Sequence, residues 1–469
     1  MASLRFLGAA QQVTGSCYLL ETPDLGKVLL DCGMHQGGDD VHRLGKEAFA
    51  FDPTTIETLF LSHAHLDHSG LIPLLVHNGF EGDIYCTNGS SKLLPVMFND
   101  AVGLYERDLK HENRRRQRKG KKLLEPIYTK QDVEKALSLI KPLRYGEKFP
   151  VGKTGKSSVC FTDAGHILGS AITSLTFEED GEEKTLVFSG DLGKKVSVLM
   201  NEPALVNKAD VILMEGTYGN RCHLSQKETI DELEQILKET WENKGIVMIP
   251  SFAVGRTQEI IFHLALLHYE GRLDPWQVYL DSPMAIKVTD IYDECLSVLD
   301  RKDAKKIREM HKGSLKGFLP RLKYVHSPEE SMALNDIPDG VIIIAGSGMC
   351  TGGRIRHHLK QRIWDPKNLL LFVGFQAVGT LGRILVDGVK KIRLFGENVV
   401  VKSRIETLNG FSAHADQAEL IEWLMAIPDN PRRMLVHGEL SSLDALSMKL
   451  WKDHKITTEI PYPGQKMYF

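Results

Sequence analysis

The sequence predicts an α/β protein in which one α/β domain is interrupted by another. Residues 1 to about 210 contain short apolar runs separated by turns, a pattern typical of strands. From about residue 220, apolar strands alternate with amphipathic helices, which is typical of a parallel sheet. From about residue 395 short strands return, together with one helix. Because exposed loops tolerate inserted domains, we expect the middle segment to be an insertion.

Hydrophobic spacing places the individual elements. The first part is predicted to form strands at residues 4–7, 16–20, 27–30, 58–61, 83–86, 157–161, 172–177 and 185–188, with helices at 70–77 and 131–139. The middle part is predicted to form helices at 225–241, 257–269 and 283–299, with strands at 245–250, 277–280 and 341–345. The last helix is expected at residues 417–426.

The composition is that of an ordinary soluble globular protein: 469 residues, 42% of them hydrophobic and 25% charged. The formal net charge of −3 does not indicate a polyanion partner, so any nucleic-acid contact must come from a local basic patch. The seven cysteines form no CxxC pair, which favours free thiols in the reducing cytoplasm. We expect neither a signal peptide nor a membrane-spanning segment.

The densest chemical signal is a histidine-rich loop. His63, His65, Asp67 and His68 follow the apolar run at residues 56–61, which predicts a buried strand. Imidazole nitrogens and a carboxylate are zinc ligands, and an incomplete protein ligand set leaves room for water. The alternative is a polar loop that happens to be rich in histidine.

Four further ligand candidates are far apart along the chain. Asp31, His166, Asp191 and His437 each lie at the C-terminal end of a predicted strand, beside a glycine. Considered alone, each of these residues is better explained by a structural role than by metal binding. Because ends of strands can converge on one edge of a sheet, the four together with the histidine-rich loop predict a metal site.

The nine residues from Arg114 to Lys122 form the one strong charge block. This run could bind a phosphate backbone. The alternative is a solvated loop or helix face.

These motifs resemble a known family. Asp31, the loop from His63 to His68, His166 and Asp191 look like the four linear motifs of the metallo-β-lactamase fold, in the expected order. Glu215, His414 and His437 resemble the three additional motifs of β-CASP nucleases. The segments at residues 250–256 and 374–383 are also similar to that family. The resemblance is greatest to bacterial and archaeal β-CASP ribonucleases and to the endonuclease of mRNA 3′-end cleavage.

The resemblance implies a metallo-β-lactamase αββα sandwich with an inserted β-CASP α/β domain, whose parallel sheet is flanked by helices. The expected boundaries are 1–210, 211–395 and 396–469. From the sequence we expect neither a KH-type extension nor the long C-terminal domain of the ribonuclease J type. The choice of RNA must then come from the core or from a partner, and a homodimer is left open.

The resemblance also implies roles for the motif residues. Two zinc ions are expected per chain, one held by His63, His65 and His166 and the other by Asp67, His68 and His437. Asp191 would bridge the two ions. Asp31 would orient a ligand. His414, paired with Glu215, would donate a proton to the departing 3′ oxygen.

The inserted domain is expected to supply a substrate cleft. Polar residues and glycine-rich turns follow its predicted strands and are phosphate-binding candidates: Ser251, Arg256, Ser347, Gly348, Met349, Gln376 and Arg383. For Gln376 and Arg383 a role in the turn scaffold is the alternative. The pair His357 and His358 is expected to cap or pack at a helix start.

The function predicted from this resemblance is hydrolysis of RNA phosphodiester bonds by a metal-bridging hydroxide, leaving 5′-phosphate and 3′-hydroxyl ends. Three alternatives are kept. A glyoxalase-type hydrolase of small molecules would lack the insertion and His414. A DNA nuclease would carry an apolar residue in place of His437. A non-catalytic RNA-processing subunit would have lost its ligands. The choice between endonuclease and 5′-exonuclease stays open.

Overall fold

The computed structural model describes residues 2–35, 49–309, 313–377, 379–428 and 430–469. Val378, within the second β-CASP-like segment, lies outside these residues. The strands, in chain order, are β1 (Ser3–Gly8), β2 (Cys17–Thr22), β3 (Gly26–Leu30), β4 (Thr58–Phe60), β5 (Asp83–Thr87), β6 (Ile140–Leu143), β7 (Lys148–Val151), β8 (Ser157–Asp163), β9 (Ala171–Glu179), β10 (Glu182–Phe188), β11 (Val211–Glu215), β12 (Val247–Pro250), β13 (Gln277–Asp281), β14 (Leu322–Tyr324), β15 (Val341–Ala345), β16 (Leu369–Phe372), β17 (Lys391–Leu394), β18 (Glu397–Val400), β19 (Arg404–Thr407), β20 (Arg432–Val436) and β21 (Lys466–Tyr468).

The α-helices, in the same order, are α1 (Leu66–Ser69), α2 (Ile72–His77), α3 (Asn88–Arg118), α4 (Lys130–Ser138), α5 (Gln226–Glu242), α6 (Arg256–Tyr269), α7 (Pro283–Glu294), α8 (Arg301–Glu309), α9 (Leu315–Phe318), α10 (Pro328–Ala333), α11 (Ile355–Arg362), α12 (Leu381–Val386), α13 (Gln417–Met425) and α14 (Leu440–His454). Within the described ranges, every helix is too short or too polar to span a bilayer.

The chain divides into two compact units. The first unit comprises Met1–Lys195, Glu202–Cys222 and His414–Phe469, and the second comprises Val196–Asn201 and His223–Ala413. The first unit therefore uses both ends of the chain, as expected for a domain that carries an insertion.

The first unit contains two sheets that share a core. One sheet has the order β21-β1-β2-β3-β4-β5-β6 and the other the order β20-β11-β10-β9-β8-β7. Alternate residues of both sheets, such as Leu4 and Phe6 in β1 and Phe161 in β8, form one buried apolar cluster. The opposite face of the second sheet packs against α13 and α14 through a separate apolar cluster, while α3 packs against β5 and β6. This is the predicted αββα layering.

Parallel pairing brings the C-terminal ends of several strands to the same edges. In the first sheet, β3, β4, β5 and β6 pair in parallel. In the second sheet, β11 pairs in parallel with both β10 and β20. Residues that follow β3, β4, β10, β11 and β20 are therefore candidates for one shared site, and they include the predicted ligands.

The second unit is built on one parallel sheet, which confirms the prediction for the middle of the chain. Its order is β14-β13-β15-β12-β16-β19, and each neighbouring pair is parallel. The central strand β15 is buried along its whole length, as is usual for a strand with both faces covered. A hairpin of β17 and β18 adds a small antiparallel ribbon.

The unit boundaries differ from the predicted 211 and 395. Strand β11, expected to open the insertion, pairs with β10 and β20 of the first unit. Strand β19, expected to return to the first domain, pairs with β16 of the second unit. Both strands are short and half or fully buried, and hydrophobic spacing does not indicate which sheet such a strand joins.

Two long helices were absent from the sequence-based prediction. Helix α3 spans 31 residues, but its buried residues stop at Tyr105 and the rest is polar, so it shows little amphipathic periodicity. The prediction of one helix after residue 395 was wrong, because α14 covers Leu440–His454.

Candidate metal centre

The predicted ligands converge in the first unit. Buried His63 follows β4, Asp191 follows β10, and His437 follows β20. His166 lies in the turn between β8 and β9, and Asp67 and His68 lie in the short helix α1. The structure thus brings together seven side chains that are up to 374 positions apart, counted from His63 to His437.

One cluster consists of His63, His65, His166 and Asp191, whose ligand atoms all lie within 4.8 Å of one another. Nδ1 of His65 is 3.1 Å from Nε2 of His63 and 3.2 Å from Nε2 of His166. Oδ2 of Asp191 is 3.6 Å from the His63 nitrogen and 3.7 Å from the His166 nitrogen. Three ring nitrogens and one carboxylate oxygen therefore face a common point.

A second cluster consists of Asp67, His68 and His437. The Nε2 atoms of His68 and His437 lie 3.1 Å apart, and Oδ2 of Asp67 is 3.9 Å from Nε2 of His437. The other oxygen of Asp191, Oδ1, lies 3.3 Å from Nε2 of His68 and 3.4 Å from Nδ1 of His437. Asp191 thus presents one carboxylate oxygen to each cluster.

The donor set fits metal ions. Oδ1 of Asp191 is buried and, among the described residues, accepts no hydrogen bond, and an unsatisfied buried carboxylate oxygen is costly. Ring nitrogens about 3.1 Å apart cannot all donate hydrogen bonds to one another, whereas a cation would accept a lone pair from each of them. Histidine nitrogen and aspartate oxygen are ligands that zinc accepts. We conclude that the first unit contains a metal-binding site.

Asp31 holds the second cluster in place. Its Oδ2 lies 2.6 Å from Nδ1 of His68 and accepts hydrogen bonds from Ser16 and Ser62, while its Oδ1 accepts one from the Ser62 amide at 2.7 Å. A carboxylate on one ring nitrogen leaves the other nitrogen, here Nε2 of His68, as the ligand atom. The histidine that Asp31 contacts is His68, and the orienting role of Asp31 stays a prediction.

Backbone conformation also marks two of these residues. Asp31 has φ +60° and His437 has φ +47°, in the left-handed region that residues other than glycine rarely adopt. The surroundings enforce the His437 conformation, because its amide donates to the Ala9 carbonyl at 2.7 Å and Oγ1 of Thr217 lies 3.3 Å from its Nδ1. Such strain, of the order of 1 kcal/mol or more, is common at functional sites.

Burial and neighbouring charges set the protonation of the histidines. Burial lowers the pKa of His63 and His65, which favours neutral imidazoles that can bind a metal. Burial also acts against the charged form of His68, but Asp191 and Asp31 outweigh it and raise its pKa well above 6.5. Burial disfavours the ionised form of Asp191, and His437 and His68 outweigh that effect, so its pKa falls well below 3.8.

A second carboxylate–imidazole pair lies beside the clusters. Nδ1 of His414 is 3.0 Å from Oε1 and 3.2 Å from Oε2 of the fully buried Glu215, and 4.0 Å from Asp191. Burial lowers the pKa of His414, but Glu215 and Asp191 outweigh burial and raise it to about 9. The predicted pairing of His414 with Glu215 is present as a contact.

Local structure fixes both partners of this pair. Glu215 ends β11, and its Oε1 accepts from the Leu192 amide at 2.6 Å. His414 is joined to Gly193 by an isolated β-bridge. Two residues later, Asp416 caps α13 by accepting hydrogen bonds from the Ala418 and Glu419 amides. The start of α13 and the turn after β10 therefore position the imidazole.

Several supporting residues were missed at the sequence level. Ser16 and Ser62 hold Asp31, and Thr217 contacts His437. Gly33 is required because a Cβ there would lie 1.7 Å from the Asp67 carbonyl oxygen, so the α1 turn approaches the backbone too closely for a side chain. The small residues beside Asp31 and His63 were the available signal, but small residues are common in loops.

The predicted phosphate-binding residues all lie in the second unit and make internal contacts. Arg256 is buried and paired with Glu259. Gln376 is buried and donates to the Gly348 and Gly374 carbonyls. Arg383 pairs with Asp387 at 2.9 Å. Gln376 thus contacts the turns as the scaffold alternative expects, and the roles of Gln376 and Arg383 in phosphate binding stay predictions.

The hydroxyl groups of this set are also engaged. Oγ of Ser251 accepts from Thr257 at 3.0 Å, and Oγ of Ser347 contacts Thr351 at 3.2 Å. Gly348 and Met349 follow Ser347 in the turn after β15. A Cβ at Gly348 would lie 2.7 Å from the Phe252 ring.

The prediction that His357 and His358 pack at a helix start is confirmed. Both lie in the first turn of α11. Nε2 of buried His358 is 2.7 Å from Oδ2 of Asp281, and His357 stacks on Phe395.

Comparison with known families agrees with this architecture. Residues 11–236 match the metallo-beta-lactamase superfamily, residues 257–385 match the Beta-Casp domain, and residues 398–461 match the Zn-dependent metallo-hydrolase RNA specificity domain. The first match covers the histidine-rich loop, His166, Asp191 and Glu215. The third covers His414 and His437.

Curated relatives are similar over most of the chain. Ribonuclease TTHA0252 of Thermus thermophilus is 39% identical over 94% of both chains. An RNase J-like protein of Methanocaldococcus jannaschii is 32% identical over 99% of both chains. Transcription termination factor FttA of Methanosarcina mazei is 33% identical over 96% of this chain and 69% of its own length.

A solved structure of a protein of unknown function from Enterococcus faecalis V583 has a TM-score of 0.53, is 14% identical and covers 100% of both chains, which indicates similarity of fold alone. From the three matching domains, the identity to full-length relatives and the convergent ligands, we conclude that the chain belongs to the β-CASP family of the metallo-β-lactamase superfamily.

Proposed function

We propose that the protein is a zinc-dependent ribonuclease. The observation that carries the proposal is the joint presence of two ligand clusters that share Asp191 and of the pair His414–Glu215 next to them. The names of the relatives, a ribonuclease and an RNase J-like protein, indicate RNA as the substrate class. The match to an RNA specificity domain over residues 398–461 points in the same direction.

In this proposal the seven clustered side chains hold two zinc ions. His63, His65 and His166 would bind one ion, and Asp67, His68 and His437 the other. Asp191 would contribute one oxygen to each ion. Zinc at such a site makes hydroxide available at neutral pH and offsets the charge of a phosphate.

The protein side chains would orient the ligands and move a proton. Asp31 fixes Nε2 of His68 towards the second cluster, because its carboxylate occupies the other ring nitrogen. Glu215 occupies Nδ1 of His414 and stabilises the charged imidazolium. His414 would then give its proton to the 3′ oxygen as the phosphodiester bond breaks. The products would carry 5′-phosphate and 3′-hydroxyl ends.

Phosphate binding by the second unit is part of the proposal. Ser251 follows β12, and Ser347, Gly348 and Met349 follow β15, which pairs with β12 in parallel, so their hydroxyl and backbone donors lie at the same edge of the sheet. Arg256 is paired with Glu259 and would have to leave that partner in order to bind phosphate directly. Gln376 and Arg383 would shape the same turns.

We propose the cytoplasm as the site of action, consistent with seven free thiols.

One assay separates this proposal from its alternatives. Purified protein is incubated with end-labelled RNA and DNA of the same sequence, with and without a chelator, and product ends are mapped. The proposal expects RNA cleavage that the chelator abolishes and zinc restores. Cleavage of DNA in preference to RNA would indicate a DNA nuclease, and cleavage of neither polymer would reject nuclease activity altogether.

A further inference from the structure

A basic surface lies on the first unit, apart from the ligand clusters in sequence. It is formed by the end of α3 and the segment that follows, residues 114–122, which contain four arginines, three lysines and no acidic residue. We call it the α3 basic surface. The whole chain has a net charge of −3, so this local concentration of cations is not a consequence of overall composition.

Most of these cations are not neutralised. Arg115 and Arg116 pair with Glu112 at 3.4 Å. Arg114, Arg118, Lys119, Lys121 and Lys122 are exposed, and within the described part of the chain none of the five forms an ion pair. Five uncompensated cations so close together repel one another, and the repulsion is relieved when an anion binds.

The helix dipole explains only part of this arrangement. Cations in the last turn of a helix are favoured by its negative C-terminal end, an effect that fades beyond that turn. Arg115, Arg116 and Arg118 lie in the last turn of α3. Lys119, Lys121 and Lys122 follow the end of the helix, so a different reason is needed for them.

The segment after the helix is held in a defined position. It folds back along α3, because the Arg116 guanidinium donates to the Lys122 carbonyl at 3.0 Å. The side chain of Asn113 exchanges two hydrogen bonds with the backbone of Leu124, at 2.9 and 2.8 Å. The phenol of Tyr105 accepts from the Ile127 amide at 2.8 Å. The three lysines are therefore carried by an ordered backbone, which lowers the entropy cost of binding.

A groove lies between the helix and the returning segment. It has a volume of about 420 Å³. Its apolar lining includes Leu109, Leu123 and Pro126, and its charged lining consists of Lys110, Arg114 and Glu106, whose carboxylate pairs with Lys130 at 3.3 Å. Leu123 is 48% exposed. A groove with cations along it and an apolar floor suits a strand with unpaired bases, whose phosphates contact the cations.

We propose that the α3 basic surface is a second binding site for single-stranded RNA, which holds the backbone of a strand whose scissile bond lies at the metal centre. This inference rests on the proposed function for the identity of the polyanion. An acidic protein is the competing partner. The groove favours single-stranded RNA over an acidic protein, because unpaired bases can pack on its apolar lining while the phosphates contact the cations.

The test is the salt dependence of RNA binding. The triple variant Lys119→Gln, Lys121→Gln, Lys122→Gln removes three exposed cations and leaves the backbone anchors in place. The matched control Lys227→Gln, Lys238→Gln, Lys302→Gln removes three exposed lysines of the second unit. A charge-retaining variant, Lys119→Arg, Lys121→Arg, Lys122→Arg, tests for structural damage. All three are made together with His414→Ala so that labelled RNA stays intact while binding is measured.

The proposal predicts a shallower salt dependence for the glutamine variant. Each phosphate contact on a single strand contributes about −0.7 to the slope of log affinity against log salt concentration. Loss of three contacts should reduce the slope by about 2 and weaken binding by at least about tenfold at 0.1 M salt. The second-unit control and the arginine variant should match the His414→Ala protein. Single-stranded DNA should lose affinity equally, because phosphate contacts do not read the sugar.

Other outcomes overturn the inference. RNA binding and slope unchanged in the glutamine variant would reject the surface as an RNA site and leave the acidic-protein alternative. An equal loss in the arginine variant would show that positive charge at these positions does not determine RNA binding, and would also reject the inference. The metal centre is tested separately, by cleavage of an aryl phosphodiester in the wild-type His414 background. If the glutamine variant changes the salt dependence of RNA binding but the wild-type protein cleaves no RNA, the surface remains an RNA-binding site and the ribonuclease proposal is rejected.

Discussion

Nδ1 of His414 lies 3.0 Å from Oε1 of Glu215, although the two residues are 199 positions apart. The same carboxylate oxygen accepts from the Leu192 amide, directly after Asp191. The imidazole is therefore connected to the backbone next to Asp191 through two hydrogen bonds. A residue fixed in this way can act on a substrate held at the ligand clusters.

His414→Ala should remove most RNA cleavage and keep both zinc ions. A general acid contributes roughly a hundred- to ten-thousand-fold in rate, and we expect a loss of that size with end-labelled RNA. An aryl phosphodiester, whose leaving group needs no proton, should lose much less. Equal losses on both substrates would show that His414 does not donate the proton, and loss of zinc would make it a ligand or a structural support.

Asp191→Ala should remove more than one zinc ion per chain. Each carboxylate oxygen of Asp191 faces a different cluster, at 3.3 Å from His68 and 3.6 Å from His63. Loss of the shared carboxylate therefore weakens both sites. Elemental analysis should give two zinc ions for the wild type and fewer than one for the variant. One ion retained at full occupancy would show that the two sites are independent of this residue.

Asp31→Asn should weaken zinc binding at the second cluster without removing a ligand. Asp31 contacts Nδ1 of His68 at 2.6 Å, and loss of such an outer carboxylate typically reduces metal affinity about ten- to a hundredfold. Competition with a chelator of known affinity measures the change. The control is Asp52→Asn, an exposed aspartate that caps a short 3-10 helix. An unchanged affinity in Asp31→Asn would mean that Asp31 supports folding alone.

Asp293→Asn should stabilise the protein above neutral pH. Burial raises the pKa of Asp293 to about 6, even though the Leu315 amide donates to it at 2.7 Å. Because the folded pKa lies above the unfolded value, the ionised form destabilises the fold, and stability is lost as the pH rises from about 4 through 6. The full shift would correspond to about 3 kcal/mol, which solvent screening of this partly exposed group reduces to about 1 kcal/mol.

Thermal unfolding of wild type and Asp293→Asn at several pH values tests this point. The difference in midpoint should grow from pH 4 to pH 7 and then stay constant. Asparagine keeps the acceptor for the Leu315 amide, so packing is little altered. A difference that does not vary with pH would mean that the carboxyl group of Asp293 is not held in its neutral form.

The ligands of the metal centre could be predicted because their motifs are local. The loop from His63 to His68 places four ligand types within six residues, and few other functions use such a pattern. The isolated candidates were interpretable only together with this loop, because each one alone favours a structural role. The strand ends then explain how His166, Asp191 and His437 reach the same place.

The missed features depend on tertiary contacts. Gly33 is required by the close approach of the Asp67 carbonyl, and φ of +47° at His437 follows from contacts with Ala9 and Thr217. Neither feature produces a periodic pattern or an unusual composition in the sequence. The difference between the predicted boundary at residue 211 and the observed units has the same origin, because hydrophobic spacing does not indicate that β11 pairs with β10 and β20.

Stepwise reloading with zinc tests the central claim most directly. Metal-free protein is titrated with zinc, and RNA cleavage and bound metal are measured in the same samples. If both clusters and the shared Asp191 act together, cleavage should stay low through the first equivalent and rise as the second binds. RNA cleavage that survives complete removal of metal, or that reaches its maximum with one equivalent, would contradict the account.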